Sequence, residues 1–104
     1  MTAKAPPAKA IRLKAADTVA VLVQAVQRGE TVEITGPDAP LSIIASEDIP
    51  SYHKIALRDF LAGQKPSRNG IPIGIARSAI GSGAWLHTHN LVSAYAREVK
   101  GSDI

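Results

Sequence analysis

The run Trp85-Leu86-His87-Thr88-His89-Asn90 holds the densest set of side chains able to do chemistry. Imidazole titrates near neutral pH and is the commonest protein ligand for metals. Two imidazoles one residue apart therefore suit either a divalent metal or proton transfer to a polar substrate. Read as a strand, the run sends both rings to one face and Leu86 and Thr88 to the other. The bare pattern also describes two histidines satisfied by ordinary hydrogen bonds. His53 is the only other histidine, and there is no cysteine. Three imidazoles at most leave coordination positions open for water, substrate or carboxylates, as catalytic rather than structural metals do. Asp17 and Asp59 are carboxylates of this chain that could complete such a site, and a second chain is an equally good source. Lys54 follows His53 and is able to bind a substrate carboxylate as a point charge, although strand alternation would turn the two neighbours to opposite faces.

Two other patterns carry less. Gly81-Ser82-Gly83 lacks the G-x-x-x-x-G-K-[ST] frame of a phosphate loop and reads as a turn. No G-x-S-x-G elbow supports a serine hydrolase.

The elements that must position these residues are short. Ile11–Lys14 reads as a strand. Asp17 and Thr18 read as the N-cap of a helix, because Val19, Leu22, Val23 and Val26 recur at helical spacing and Gly29 offers a stop. Thr31–Thr35 alternates as a strand and turns at Gly36-Pro37-Asp38-Ala39-Pro40 into a return strand over Leu41–Ala45. Beyond that, brief apolar pieces are divided by Gly63, Asn69-Gly70 and Gly81-Ser82-Gly83, a pattern of β structure with many bends. Arg28-Gly29-Glu30, Ala62-Gly63-Gln64 and Ser82-Gly83-Ala84 form a faint internal echo, with glycine marking repeated corners. Val92, Tyr95 and Val99 are spaced for a short terminal helix whose apolar face covers either this domain or a partner chain.

A chain of 104 residues with 45% hydrophobic and 20% charged content has the size and make-up of one globular domain. No apolar run reaches the roughly 18 residues of a membrane span. Lys4, Lys9, Arg12 and Lys14 precede every acidic residue, while the other eight of the twelve basic residues face nine acidic ones. The basic character thus belongs to a solvated arm rich in Ala, Lys and Pro rather than to a nucleic-acid-binding face. Phe60, Trp85, Tyr52 and Tyr95 are too few for a base-stacking ladder. The expected layout is a disordered basic tail over 1–13, a domain over 14–90 and an extension over 91–104. Without cysteine or a targeting segment, a cytoplasmic location is expected.

Taken together, His53-Lys54-Ile55-Ala56-Leu57, then Gly63, Asn69-Gly70-Ile71-Pro72-Ile73-Gly74-Ile75-Ala76 and Gly83-Ala84-Trp85-Leu86-His87-Thr88-His89-Asn90 resemble the SAF domain of altronate and galactarate dehydratases. Asp17-Thr18-Val19-Ala20 and Arg28-Gly29-Glu30 match that domain's opening segment. Asn69 departs from the family's usual Tyr, and Tyr52 stands where Gly often precedes the first histidine. The resemblance implies a mainly β fold, an SAF-type β-clip, to which the helical spacings add one or two short helices. It further implies a separate small subunit similar to that of sulfolactate sulfo-lyase, acting with a large dehydratase subunit. Such a pair eliminates water, or in one branch sulfite, from a sugar acid or 2-hydroxy acid, with a divalent metal, Fe2+ or Mn2+, completed by the partner chain. On this basis His53, His87 and His89 are the candidate catalytic residues, His87 and His89 the metal ligands, and Lys54 and Asn90 the substrate-binding residues. The competing expectation is a non-catalytic SAF module that recognises carbohydrate or acts as a chaperone-like piece, since fold alone does not settle function.

Overall fold

The computed structural model describes residues 7–38 and 41–92. Among these residues ten short strands run in chain order: β1 (Ala8–Ile11), β2 (Val19–Leu22), β3 (Thr31–Thr35), β4 (Leu41–Ile44), β5 (Lys54–Ala56), β6 (Ser67–Arg68), β7 (Ile71–Pro72), β8 (Ile75–Ala76), β9 (Trp85–Leu86) and β10 (Leu91–Val92). Six of them form one sheet in the order β4-β3-β1-β2-β5-β9, in which only β1 and β3 run parallel. Two small antiparallel pairs, β8 with β10 and β6 with β7, complete the fold. The mainly β expectation holds, and no helix among the described residues is long and apolar enough to cross a membrane.

The helix expected after Asp17 is absent, and Val19–Leu22 is instead β2, one of the central strands. Val19 packs on one side with Ala56, Phe60, Ala76, Ile80 and Leu86. Ala20 and Leu22 pack on the other with Ile34, Ile49 and Ile55. A strand buried on both faces needs an unbroken apolar run, and such a run satisfies helical spacing as readily as strand spacing. The two polar residues read as a cap do accept backbone N–H groups, chiefly from distant segments. The Asp17 carboxylate takes those of Lys14, Asn69 and Gly70, at 3.1, 2.7 and 2.9 Å, and Thr18 Oγ1 takes that of Ser67 at 3.0 Å.

The first strand also begins earlier than expected. Ala8 and Ala10 are buried, and β1 pairs with both β2 and β3, so part of the segment assigned to a basic tail belongs to the sheet. The alternation Ala-Lys-Ala-Ile is that of a strand whose small residues point inward and whose Lys9 points to water. The terminal helix expected over Val92–Val99 lies beyond the described residues, apart from Val92 in β10.

Between the strands lie four corners of one shape, over residues 23–29, 46–52, 57–63 and 77–83. Each buries one apolar side chain at its centre, respectively Val26, Ile49, Phe60 and Ile80. Each closes on a residue with positive φ: Gly29 at 87°, Tyr52 at 67°, Gly63 at 90° and Gly83 at 86°. The corners join in pairs through reciprocal backbone bonds, Val26 with Ile49 at 2.9 Å each way, and Phe60 with Ile80 at 2.7 and 2.9 Å. An aspartate of one corner caps its partner, since Asp48 accepts the Arg28 N–H and Asp59 the Ser82 N–H, both at 2.8 Å. Each pair also centres one of the two apolar clusters, so the molecule consists of two similar lobes sharing β2 and β5. Strand β9 reaches the sheet from the second lobe and carries the histidine run to its edge.

Candidate functional site

Antiparallel pairing of β5 with β9 sets Lys54 opposite Leu86 and Ile55 opposite Trp85. Continued by one residue, this register brings His53 opposite His87, and their ring centroids lie 5.0 Å apart. Directly opposed side chains on an antiparallel pair are close enough to touch, so the contact follows from the strand register. Trp85 sits at the centre of the group. Its indole N–H donates to His53 Nδ1 at 3.1 Å, and the two rings meet edge-on at 5.3 Å. His87 lies nearly parallel to the indole, at 15° and 5.5 Å, and His89 meets it at 59° and 5.3 Å. All three histidines of the chain therefore contact one tryptophan ring.

The local geometry differs from the single strand expected across Trp85–Asn90. Strand β9 ends at Leu86, and residues 87–90 form a turn in which Asn90 N–H and Leu91 N–H both donate to His87 O, at 3.1 and 3.0 Å. Asn90 holds this turn with its side chain, its Oδ1 accepting from His87 N–H at 3.0 Å and its Nδ2 donating to Trp85 O at 2.7 Å. An asparagine folding back onto its own backbone competes with continuation of the strand, which ends β9 after two residues. His87 and His89 are consequently exposed on a turn, not ranged along one strand face. Their common neighbour is the indole.

Of the two residues expected to bind substrate, Asn90 has its amide committed to the turn. Lys54 is half-buried in β5 and is paired across the strands with Val21 and Leu86. Alternation along β5 places it on the face opposite Ile55, whereas Ile55 and Trp85 share the first apolar cluster. The structure thus gathers the three imidazoles and leaves Lys54 apart from them.

Two residues that sequence reasoning passed over hold the group together. Trp85 is the first, and its signal was present: it is the chain's single tryptophan, two residues before His87. Glu47 is the second, its carboxylate accepting the Trp85 backbone N–H at 3.0 Å across a separation of 38 residues. Nothing in sequence spacing marks a contact of that kind.

Among the described residues no group of three or more His, Cys, Asp or Glu is arranged to hold a metal ion. His53 Nδ1 is occupied by the indole N–H. The described residues by themselves therefore do not assemble a metal centre of three or more such ligands.

The Asp17 carboxyl titrates below its ordinary value. Burial of the group, which is 4% exposed, works to raise its pKa, but the backbone N–H groups of Gly70, Asn69, Lys14 and Leu13 outweigh it and hold the value below 3.8. Its role is to fix the Asn69-Gly70 hairpin turn, where both residues have positive φ. That role is structural, away from the imidazoles.

Comparison with curated proteins finds no match for this chain. Comparison with family models matches residues 8–94 to the altronate/galactarate dehydratase SAF domain. The matched span covers every strand and corner described above and the whole imidazole group, and the chain belongs to the altronate/galactarate dehydratase SAF-domain family.

Proposed function

We propose that this chain is the small subunit of a two-chain hydro-lyase that dehydrates a sugar acid of the altronate or galactarate kind to a 2-keto-3-deoxy acid. The observation that carries this reading is the convergence of His53, His87 and His89 on Trp85 at the surface of a dehydratase-family domain. In the elimination a base removes the proton from the carbon beside the carboxylate, and the released electron pair forms a double bond to the next carbon as that carbon's hydroxyl accepts a proton and leaves as water. The resulting enol becomes the ketone. Charge develops on the carboxylate and the α-hydroxyl as the proton departs, so the reaction asks for a base, a proton donor and hydrogen-bond donors together. A cluster of imidazoles supplies each of these.

A domain of two small apolar lobes with short loops has little interior in which to enclose a sugar acid and exclude water. We place the substrate pocket between this chain and a larger partner, with the exposed His87 and His89 facing it. Fe2+ or Mn2+, as the family's chemistry implies, would then be held mainly by ligands of the partner. The cytoplasm, where sugar acids are metabolised, is the proposed location.

The test is an assay of dehydration of altronate, galactarate and related 2-hydroxy acids by the chain alone, by a large dehydratase subunit alone and by the mixture. Activity confined to the mixture, with co-elution of the two chains, is the expected result. Equal turnover by the chain alone would overturn the partnership. Binding of sugar acid without turnover by the mixture would instead support a carbohydrate-recognising module.

A further inference from the structure

The bond between Trp85 and His53 assigns a specific state to one imidazole. An indole nitrogen carries a hydrogen and has no lone pair to offer, so it only donates. His53 Nδ1, 3.1 Å away, must therefore be the acceptor and bear no proton. A neutral imidazole with a bare Nδ1 carries its hydrogen on Nε2, and the partner of one nitrogen thereby decides what the other presents.

We propose that Trp85 is a positioning residue that locks His53 as the neutral Nε2–H tautomer, so that His53 serves the reaction as a hydrogen-bond donor and not as its base or as a metal ligand. An Nε2 bearing hydrogen cannot remove a proton from carbon or coordinate a cation, and Nδ1 is already taken by the indole. What remains is a neutral N–H able to donate to the substrate carboxylate or α-hydroxyl oxygen as negative charge builds there. Neutral imidazole in this electrophilic role is a known device for enolising carbonyl compounds. Proton abstraction then falls to His87 or His89, which are exposed and whose ring nitrogens are not held by the indole N–H. The remaining contacts of Trp85 agree with a positioning function. Its backbone is fixed by Glu47 and Asn90, and its half-buried ring packs against the first apolar cluster. The position of the indole is accordingly fixed by groups other than His53.

The tautomer is a property of the chain by itself, whereas the donor role rests on the dehydratase reading, and the experiment separates the two. Long-range proton-nitrogen correlation spectra of the isotopically labelled full chain in mildly alkaline buffer should show His53 with a bare Nδ1 and a protonated Nε2. Trp85→Phe keeps an aromatic ring but removes the donor, and His53 should then lose the single-tautomer pattern. A wild-type His53 with Nδ1–H or a mixture of tautomers overturns the proposal, as does an unchanged pattern in a folded Trp85→Phe variant. If that variant does not fold, the wild-type spectrum decides alone.

In the active mixture with the large subunit, His53→Gln places an amide N–H near the Nε2 position and should keep kcat/KM within about tenfold. His53→Leu removes the donor and should lower it by about 10²–10³-fold, as removal of one charge-stabilising donor does. Equal losses in the two variants would overturn the donor role. A mixture without dehydratase activity would defeat the functional reading while leaving the tautomer result standing.

Discussion

Asp17 shows at the residue scale how one buried carboxylate can tie together segments that are far apart in sequence. It accepts backbone N–H groups from residues 14, 69 and 70, so its loss leaves three donors without their partner. Asp17→Ala should destabilise the fold by about 2–4 kcal/mol, and Asp17→Asn by somewhat less because one oxygen remains to accept. The expected pH dependence follows from the direction of the shift. The folded pKa lies below the unfolded value of 3.8, so the stabilisation is fully present above 3.8 and is lost as pH falls through the folded pKa. Acid denaturation of wild type and Asp17→Asn measured side by side should show the two curves converging at low pH. His87 and His89 present the opposite case. They are exposed, and His87→Ala and His89→Ala should shift stability by no more than about 0.5 kcal/mol while abolishing dehydration by the mixed chains. Thermal melting and a steady-state assay on the same preparations would distinguish a chemical role from a structural one.

The corner is the recurring unit at the element scale, and its demand for positive φ makes two comparisons possible. Gly63 and Gly83 have nearly the same φ, but a Cβ on Gly63 meets open space whereas one on Gly83 overlaps the carbonyl oxygen of Ile44. Gly63→Ala should cost about 1–2 kcal/mol, from backbone strain alone. Gly83→Ala should cost about 1–3 kcal/mol more, because β4 must move away. Denaturant midpoints of the two variants give this difference directly. The second comparison concerns Tyr52, which occupies the corner position that is glycine in the other three and is 76% exposed. A bulky side chain in the left-handed region is strained, so Tyr52→Gly should raise stability by up to about 1 kcal/mol, as read from the same midpoints. A fall in stability would show that the ring makes contacts exceeding the strain.

For the whole molecule, two lobes share β2 and β5, and those strands are buried on both faces. Leu22 and Ile55 are each fully buried at the junction. Truncating either to Ala should cost about 2–5 kcal/mol, and urea unfolding should remain a single transition because neither lobe is complete without the shared strands. Two transitions would show that the lobes fold separately. The lobes divide the labour of building the site. Trp85 packs on the first apolar cluster, while Leu86, next to it in β9, enters the second. The imidazole group thus sits where the lobes meet at the sheet edge. A partner chain docking there would cover side chains held by both.

The β class, the Asn69-Gly70 turn, the glycine corners at 29, 63 and 83 and the candidacy of His53, His87 and His89 as groups able to carry a proton were all legible in the sequence. Each depends on a local property, such as alternation, a residue that tolerates positive φ, or a side chain able to carry a proton. Asn-Gly specifies its own turn because few other pairs adopt positive φ twice in succession. The fourth corner escaped notice because Tyr52 hides the glycine that marks its three counterparts. Val19–Leu22 read as helix because burial on two faces erases the period that separates strand from helix. Tertiary structure alone decided that Asp17 would cap a turn more than fifty residues away and that Glu47 would hold Trp85. It alone set His53 opposite His87 and gave one indole contact with all three imidazoles. Those contacts come from strand register across long sequence separations, and register is a property of the assembled sheet that no local spacing encodes.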